Sequence, residues 1–198
     1  WDANSGQLIS TLPVGENLKP TDTELSLDGS MYAVATNHNT AVIVDSATNE
    51  IIHRIESDDA RFDSARIDFD NSKLITYSTN DDSQSTLLQL WDIASSDLID
   101  QLQVSGRVNI SPNPVEAETL VFSSTEGAFI WNYERRERIP VTTDSAFAGA
   151  FSPDGKHFYL GTGGREAVPS VFSRSQPETG PTPKLTRWAR SGIRQLES

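Results

Sequence analysis

Cysteine is absent from this chain of 198 residues, which excludes disulfides, thiolate nucleophiles and thiolate metal sites. Histidine is nearly absent as well. Only His38, His53 and His157 occur, and none has a second His, Asp or Glu at a spacing that would build a metal site on one strand or helix. No apolar run approaches the roughly 20 residues that a spanning helix needs, and the first residues lack the charged and then apolar regions of a secretory signal. The expectation is a soluble chain with no membrane segment. The cytoplasm is the favoured compartment, although a lack of cysteine does not fix it.

Basic residues are scarce in the first half. Residues 1–100 hold 18 Asp and Glu against 5 Lys and Arg, whereas residues 101–198 hold 10 against 11, so a net charge of -12 divides into -13 and +1. Such a surface repels nucleic-acid phosphates and would steer a basic protein partner, or it is simply a solvated acidic face.

What the sequence does have is internal repetition. A polar turn between apolar runs recurs at Leu25–Ala35, Ile67–Tyr77, Val108–Pro114 and Ala150–Leu160, and its anchors Asp28, Asp70, Asn113 and Asp154 are 42, 43 and 41 residues apart. A second anchor closes a later strand at Trp1-Asp2, Val44-Asp45, Trp91-Asp92, Trp131-Asn132 and Phe172-Ser173, at spacings of 43, 47, 40 and 41. Each of the first four of these is followed by a polar turn and a short alternating segment, beginning at Gly6, Glu50, Asp97 and Glu137, which reads as a fourth strand. Asp-Gly and Asp-Asn suit tight turns because Gly and Asn tolerate the left-handed conformation. The strand after each turn is almost wholly apolar, which predicts burial on both faces between neighbouring sheets. Four antiparallel strands in each repeat, stacked face to face with the next, describe the blades of a β-propeller.

Ser152-Pro-Asp-Gly155, Leu90-Trp-Asp92 and the opening Trp1-Asp2-Ala-Asn-Ser-Gly resemble WD-repeat β-propellers over essentially the whole chain. The resemblance implies an all-β fold of about four WD-type repeats, as one region 1–198 with repeats near 13–56, 57–103, 104–141 and 142–190. Residues 1–12 are expected to be the remnant of a further blade, and 191–198 a frayed tail. An incomplete part of a larger, seven-bladed propeller is the expected arrangement. A closed four-bladed ring competes with it, but Lys184–Ala189 already supplies the last repeat with a fourth strand. The family's Gly-His dipeptide is missing from every repeat, and its Asp about six residues before the Trp is replaced by His38, Ser85, Thr125 and Glu166. The hydrogen-bonded tetrad of a well-formed blade is therefore expected to be absent.

The resemblance implies a non-catalytic protein-interaction scaffold, part of a larger regulatory protein, with no cofactor and no metal. The alternative is a propeller-fold enzyme, lactonase-like or quinoprotein-like. It needs repeated ligands on the first strands, where Thr23-Glu24, Ser64–Arg66, Gly106-Arg107 and Phe147–Gly149 show none. Gly161–Gly164 lacks the following Lys-Ser or Lys-Thr of a phosphate loop, and Ser152 lacks the flanking glycines of a nucleophile elbow. Asp68, Asp70 and Asn71 lack the Gly and distant Glu of a calcium loop.

The 47-residue interval carries its extra length between Asp70 and Trp91, which places an enlarged loop at Asn80–Ser85. Together with the loop Glu56–Arg61 it would gather Asp58, Asp59, Asp81 and Asp82 on one acidic rim, the candidate partner-binding surface. The tail beyond Gln176, with its basic stretch Arg187–Arg194, is a candidate docking peptide. Self-association through exposed blade edges is the remaining expectation.

Overall fold

The computed structural model describes residues 2–12, 14–15, 18–58, 61–80, 82, 84–123 and 125–162 in full, and the backbone alone of 170–175 and 184–188. Among the described residues there are sixteen strands: β1 (Pro20–Leu25), β2 (Met31–Thr36), β3 (Thr40–Asp45), β4 (Ile51–Glu56), β5 (Ser64–Ile67), β6 (Lys73–Asn80), β7 (Ser85–Asp92), β8 (Leu98–Ser105), β9 (Val108–Pro112), β10 (Glu118–Ser123), β11 (Gly127–Asn132), β12 (Glu137–Thr142), β13 (Ala146–Phe151), β14 (His157–Thr162), β15 (Ser170–Ser175) and β16 (Lys184–Trp188). They form four sheets of four consecutive strands in chain order, with antiparallel neighbours. No helix occurs among the described residues. The fourth strand expected near Lys184 is β16, which pairs with β15.

The chain divides into two compact units, residues 1–79 with 87–103, and 80–86 with 104–198. In the first unit, sheet one packs its Ala33, Ala35, Ala41, Ile43 and Ile55 against Phe62, Ala65, Ile67, Leu74 and Trp91 of the next repeat. The opposite face of sheet one places Val34, Val42 and Val44 under Val14, Leu12 and Leu18. Strand β2 is therefore buried on both faces, as its apolar composition requires. In the second unit, Leu120, Phe122 and Ile130 of sheet three pack against Ala146, Phe158 and Leu160 of sheet four.

Two turns recur in each repeat, and each has its own hydrogen-bond signature. At the first, between the first and second strands, the amides of Ser26, Asp68, Asn113 and Ser152 donate to the carbonyls of Met31, Lys73, Glu118 and His157 at 2.8–3.0 Å. In three of the four, a carboxylate two residues on (Asp28, Asp70 or Asp154) accepts the amide of Ser30, Ser72 or Lys156, and the residue after it has positive φ: Gly29, Asn71 and Gly155. Sheet three differs. Its anchor is Asn113 itself, in the place of Ser26 rather than Asp28, so the repeat registers two residues away from where the Asp28-type spacing put it. The cause is local: Pro114-Val-Glu116 offers no Gly or Asn for the left-handed position, and the turn instead closes with the Val115 amide on Asn113 Oδ1 and the Glu118 amide on the Glu116 carbonyl.

At the second turn, between the third and fourth strands, Asp45 Oδ1 accepts the amides of Ala47 and Thr48, Asp92 Oδ1 that of Ser95, and Asn132 Oδ1 that of Arg135. The residue four positions on has positive φ in each: Asn49, Ser96 and Arg136. Asp2 makes the same turn, with Asn4 and Ser5 as donors and Gly6 at positive φ. The opening residues thus share the geometry of a third-to-fourth-strand turn. The carboxylate after the Trp is a turn cap.

The enlarged loop is smaller than its spacing implied. Strands β6 and β7 have eight residues each where their counterparts β2 and β3 have six, so most of the extra chain lengthens a hairpin. The added residues, Thr79, Asn80, Ser85 and Thr86, include β-branched threonines that suit a pleated surface.

Candidate functional site

The most developed polar constellation among the described residues lies on the first strands of the first unit. Strands β1 and β5 are neighbours across the sheet-one and sheet-two packing, and their period of two brings Asp22 and Glu24 towards Ser64 and Arg66. The Asp22 carboxylate accepts the Ser64 hydroxyl at 2.5 Å and a hydrogen bond from the Arg66 guanidinium, and Glu24 Oε2 lies 3.7 Å from Arg66 Nη1. The partly buried Tyr77 phenol on β6 completes the group. Burial pushes its pKa up, against the opposing effects of a hydrogen bond with Ser64 and the positive charge of Arg66. Arg66 is thus held between two carboxylates at a partly desolvated position, where an ion pair is worth more than at the surface. Nearby, Asp63 accepts the Thr79 amide at 2.7 Å and faces Arg61 at 3.4 Å.

A reading of the first strands for repeated metal ligands passes over this group, because equivalent positions of the two repeats carry different residue types, Asp22 against Ser64 and Glu24 against Arg66. The signal available in the sequence is Arg66 itself, a charged residue set between the apolar Ala65 and Ile67 in a short strand.

Beside it, Trp91 Nε1 donates to Thr76 Oγ1 at 2.9 Å within the sheet, and its ring meets Phe62 edge to face with centroids 6.0 Å apart. The Trp of the repeat anchor is therefore hydrogen-bonded through a threonine of the neighbouring strand. Ser57 Oγ donates to the buried Gln89 Oε1 at 3.3 Å.

The acidic residues divide into turn caps and free charges. Asp2, Asp45 and Asp92 are held below the usual carboxylate range, chiefly by hydrogen bonds from Ser5, Thr48 and Ser95 respectively. Hydrogen bonds donated by Ser30 and Ser152 do the same for Asp28 and Asp154 respectively. Asp68 is the exception. Its side chain is buried where Ser26 and Ser152 carry a hydroxyl, and burial, assisted by the charge of Asp70, pushes its pKa up to about 6 against the amides of Lys73 and Ser72. For Asp70 burial acts upward, but hydrogen bonds from Ser72 and Asp68 hold it below the ordinary value.

Of the acidic rim residues, Asp58 is exposed after β4 in the first unit, and Asp82 is exposed between β6 and β7 in the second. Asp59 and Asp81 lie outside the described residues, as do the tail beyond Gln176, apart from the backbone of β16, and Gly163-Gly164. His38 is exposed in the β2–β3 turn, His53 is half-buried on β4, and His157 is half-buried at the start of β14. Among the described residues no three His, Asp or Glu side chains converge as a metal cluster would require.

No family model matches this sequence, and no curated protein matches it. Its backbone is a common one: 984 solved chains resemble it, so the likeness identifies an architecture rather than an activity. Among them is hydrazine synthase from Kuenenia stuttgartiensis, with a TM-score of 0.60 and 17% sequence identity over 78% of this chain and 52% of that one. The chain thus spans about half the length of that protein. At this identity the likeness is one of fold, a propeller-type fold into which these four-stranded antiparallel sheets fit as blades.

Proposed function

We propose that this chain is a non-catalytic protein-interaction scaffold of WD-repeat type, belonging to a larger regulatory protein. The observation that carries the reading is how its polar side chains are employed. Asp2, Asp28, Asp45, Asp92 and Asp154 cap turns, Trp91 is tied to Thr76, and Asp22 and Glu24 flank Arg66. Groups that could take part in chemistry thus serve to fix a stack of sheets, and the loops between strands carry exposed acids such as Asp58 and Asp82. Packed sheets presenting charged loops are suited to recognising a partner, and the -13 charge of residues 1–100 favours a basic one. The cytoplasm is the compartment we favour.

The test is to compare the proteins retained by the immobilised chain with those retained by a variant carrying Asp58→Lys, Asp59→Lys, Asp81→Lys and Asp82→Lys. Loss of a basic partner from the variant supports the acidic rim. Identical retained sets remove it.

A propeller-fold enzyme is the second reading, favoured by two observations: one of the structural neighbours is named as a synthase, and Asp22, Ser64 and Arg66 meet on first strands, with Tyr77 beside them on β6. Turnover of any substrate that Arg66→Ala abolished, with the fold intact by circular dichroism, would favour it over the scaffold.

A further inference from the structure

In sheets one and four the cap of the first turn is relayed through a serine hydroxyl. Ser26 Oγ accepts the Met31 amide at 3.1 Å and donates to Asp28 Oδ1 at 2.8 Å, and Ser152 Oγ accepts the His157 amide at 3.0 Å and donates to Asp154 Oδ1 at 2.6 Å. In sheet two the place of that serine is taken by Asp68. Its Oδ1 accepts the amide of Lys73, the counterpart of Met31 and His157, at 2.9 Å and that of Ser72 at 3.0 Å, and its side chain shares a hydrogen bond with Asp70. A hydroxyl always has a proton to give. A carboxyl has one only when it is protonated, and with Asp68 only 2% exposed, two ionised carboxylates in contact here repel each other with little water to screen them.

The same turn ties two sheets together. Asn71, at a φ of 63° directly after Asp70, donates from Nδ2 to Asp28 Oδ2 at 2.9 Å and to Ser30 Oγ at 3.2 Å in the corresponding turn of sheet one. The charged groups bonded into this turn are Asp70 within it, Lys73 at the start of β6, Asp92 on β7 and Asp28 of sheet one, which hydrogen bonds from Ser30 keep ionised. Lys73 Nζ is engaged by Asp92 Oδ2 at 3.1 Å and Ser72 Oγ at 3.3 Å. Three carboxylates and one ammonium thus surround Asp68, and a proton on Asp68 eases the excess of negative charge.

We propose that the turn Asp68–Lys73 is a proton-operated latch between the first two sheets: protonated Asp68 donates to Asp70 and holds Asn71 on Asp28 and Ser30, and loss of that proton swings Asp70 and Asn71 outward and parts the link. Only the protonated acid reproduces the donor and acceptor pattern of Ser26 and Ser152, so sheet two has made switchable a contact that sheets one and four hold permanently. Burial, assisted by the charge of Asp70, puts the pKa of Asp68 at about 6, so the latch closes as pH falls through that value and opens as pH rises through it.

Nuclear magnetic resonance of the whole chain tests this. The cross-relaxation contact between the Asn71 side-chain amide and Ser30 should be about tenfold stronger at pH 5 than at pH 7, because a midpoint near 6 leaves about nine-tenths of Asp68 protonated at the lower value and about a tenth at the higher. The Asp68 carboxyl carbon should titrate with the same midpoint. Asp68→Ser, which installs the residue of sheets one and four, and Asp70→Asn, which removes the opposing charge, should each keep the contact strong at both pH values. All three histidines are retained in these variants, so a pH dependence that survives either substitution has another origin and overturns the proposal. A wild-type contact of equal strength at the two pH values, or midpoints that differ between Asp68 and Asn71, overturns it too, and this wild-type titration decides by itself should a variant fail to fold.

Discussion

The stacking contacts in the two units solve one packing problem with opposite distributions of volume. In the first unit the preceding sheet offers Ala33 and Ala35, and the following first strand carries Ala65 and Ile67. In the second unit the equivalent positions are Leu120 and Phe122, and the position of Ala65 is Gly149. A Cβ added at Gly149 would lie 2.9 Å from Leu160, 3.0 Å from Leu120 and 3.1 Å from Phe122, so the large side chains of sheet three already fill the space. The bulk of Leu120 and Phe122 is thus matched by the missing side chain at Gly149, as expected where interiors pack near crystal density.

The comparison can be broken most severely in the second unit. Phe122→Ala should lower stability by about 3–5 kcal/mol, since it leaves a cavity at a buried position beside Gly149, which has no side chain to fill it. Thermal or urea unfolding measures the loss, and a loss below about 1 kcal/mol would mean that sheet four collapses into the gap.

A sharper version imports the second unit's solution into the first. Ala33→Leu should destabilise by about 1–3 kcal/mol through overpacking, and adding Ala65→Gly should restore part of it. A double-mutant cycle reads the coupling. Strict additivity would show that the two positions do not share one space.

The turns allow a comparison by pH. Asp68 has a folded pKa of about 6 against an ordinary 3.8, so the folded state holds its proton more tightly. Its contribution is fully present below about pH 4 and is lost as pH rises through about 6. Asp68→Asn keeps an oxygen for the Ser72 and Lys73 amides and a donor towards Asp70. The variant should therefore be more stable than the wild type at pH 7, by about 1 kcal/mol after relaxation, with no decline between pH 4 and 6. Unfolding midpoints across that range measure it.

The smallest effect is expected at Asp45. Asp45→Asn should be nearly neutral, because Asn132 caps the corresponding turn of sheet three, whereas Asp45→Ala should lower the melting temperature measurably. Equal midpoints for the two would remove the capping role.

Much of the fold is legible from these turns. Asp28, Asp70 and Asp154, each followed by Gly or Asn, announce hairpins whatever surrounds them, and the apolar strands behind them announce burial on both faces. Asn113 is less legible. Proline after it changes how the turn closes, and a period of about 42 residues survives a two-residue shift without notice. The exchange of Ala33 for Leu120 is invisible to periodicity, because both are apolar and only the opposite strand tells whether a position needs bulk. The candidate site is least legible of all, since Asp22 and Arg66 meet across 44 residues and neither belongs to a motif.

Gly6, Asn49, Ser96 and Arg136 occupy one left-handed joint in four successive turns, three of them at some conformational cost. A bend that accepts such different residues is imposed by the carboxylate or amide oxygen at its start and by the strands it connects. Its amino acid can therefore drift freely while its path stays fixed. A chain built from such joints becomes unrecognisable letter by letter long before it changes shape, as the contrast between its silent sequence comparisons and its many backbone likenesses shows.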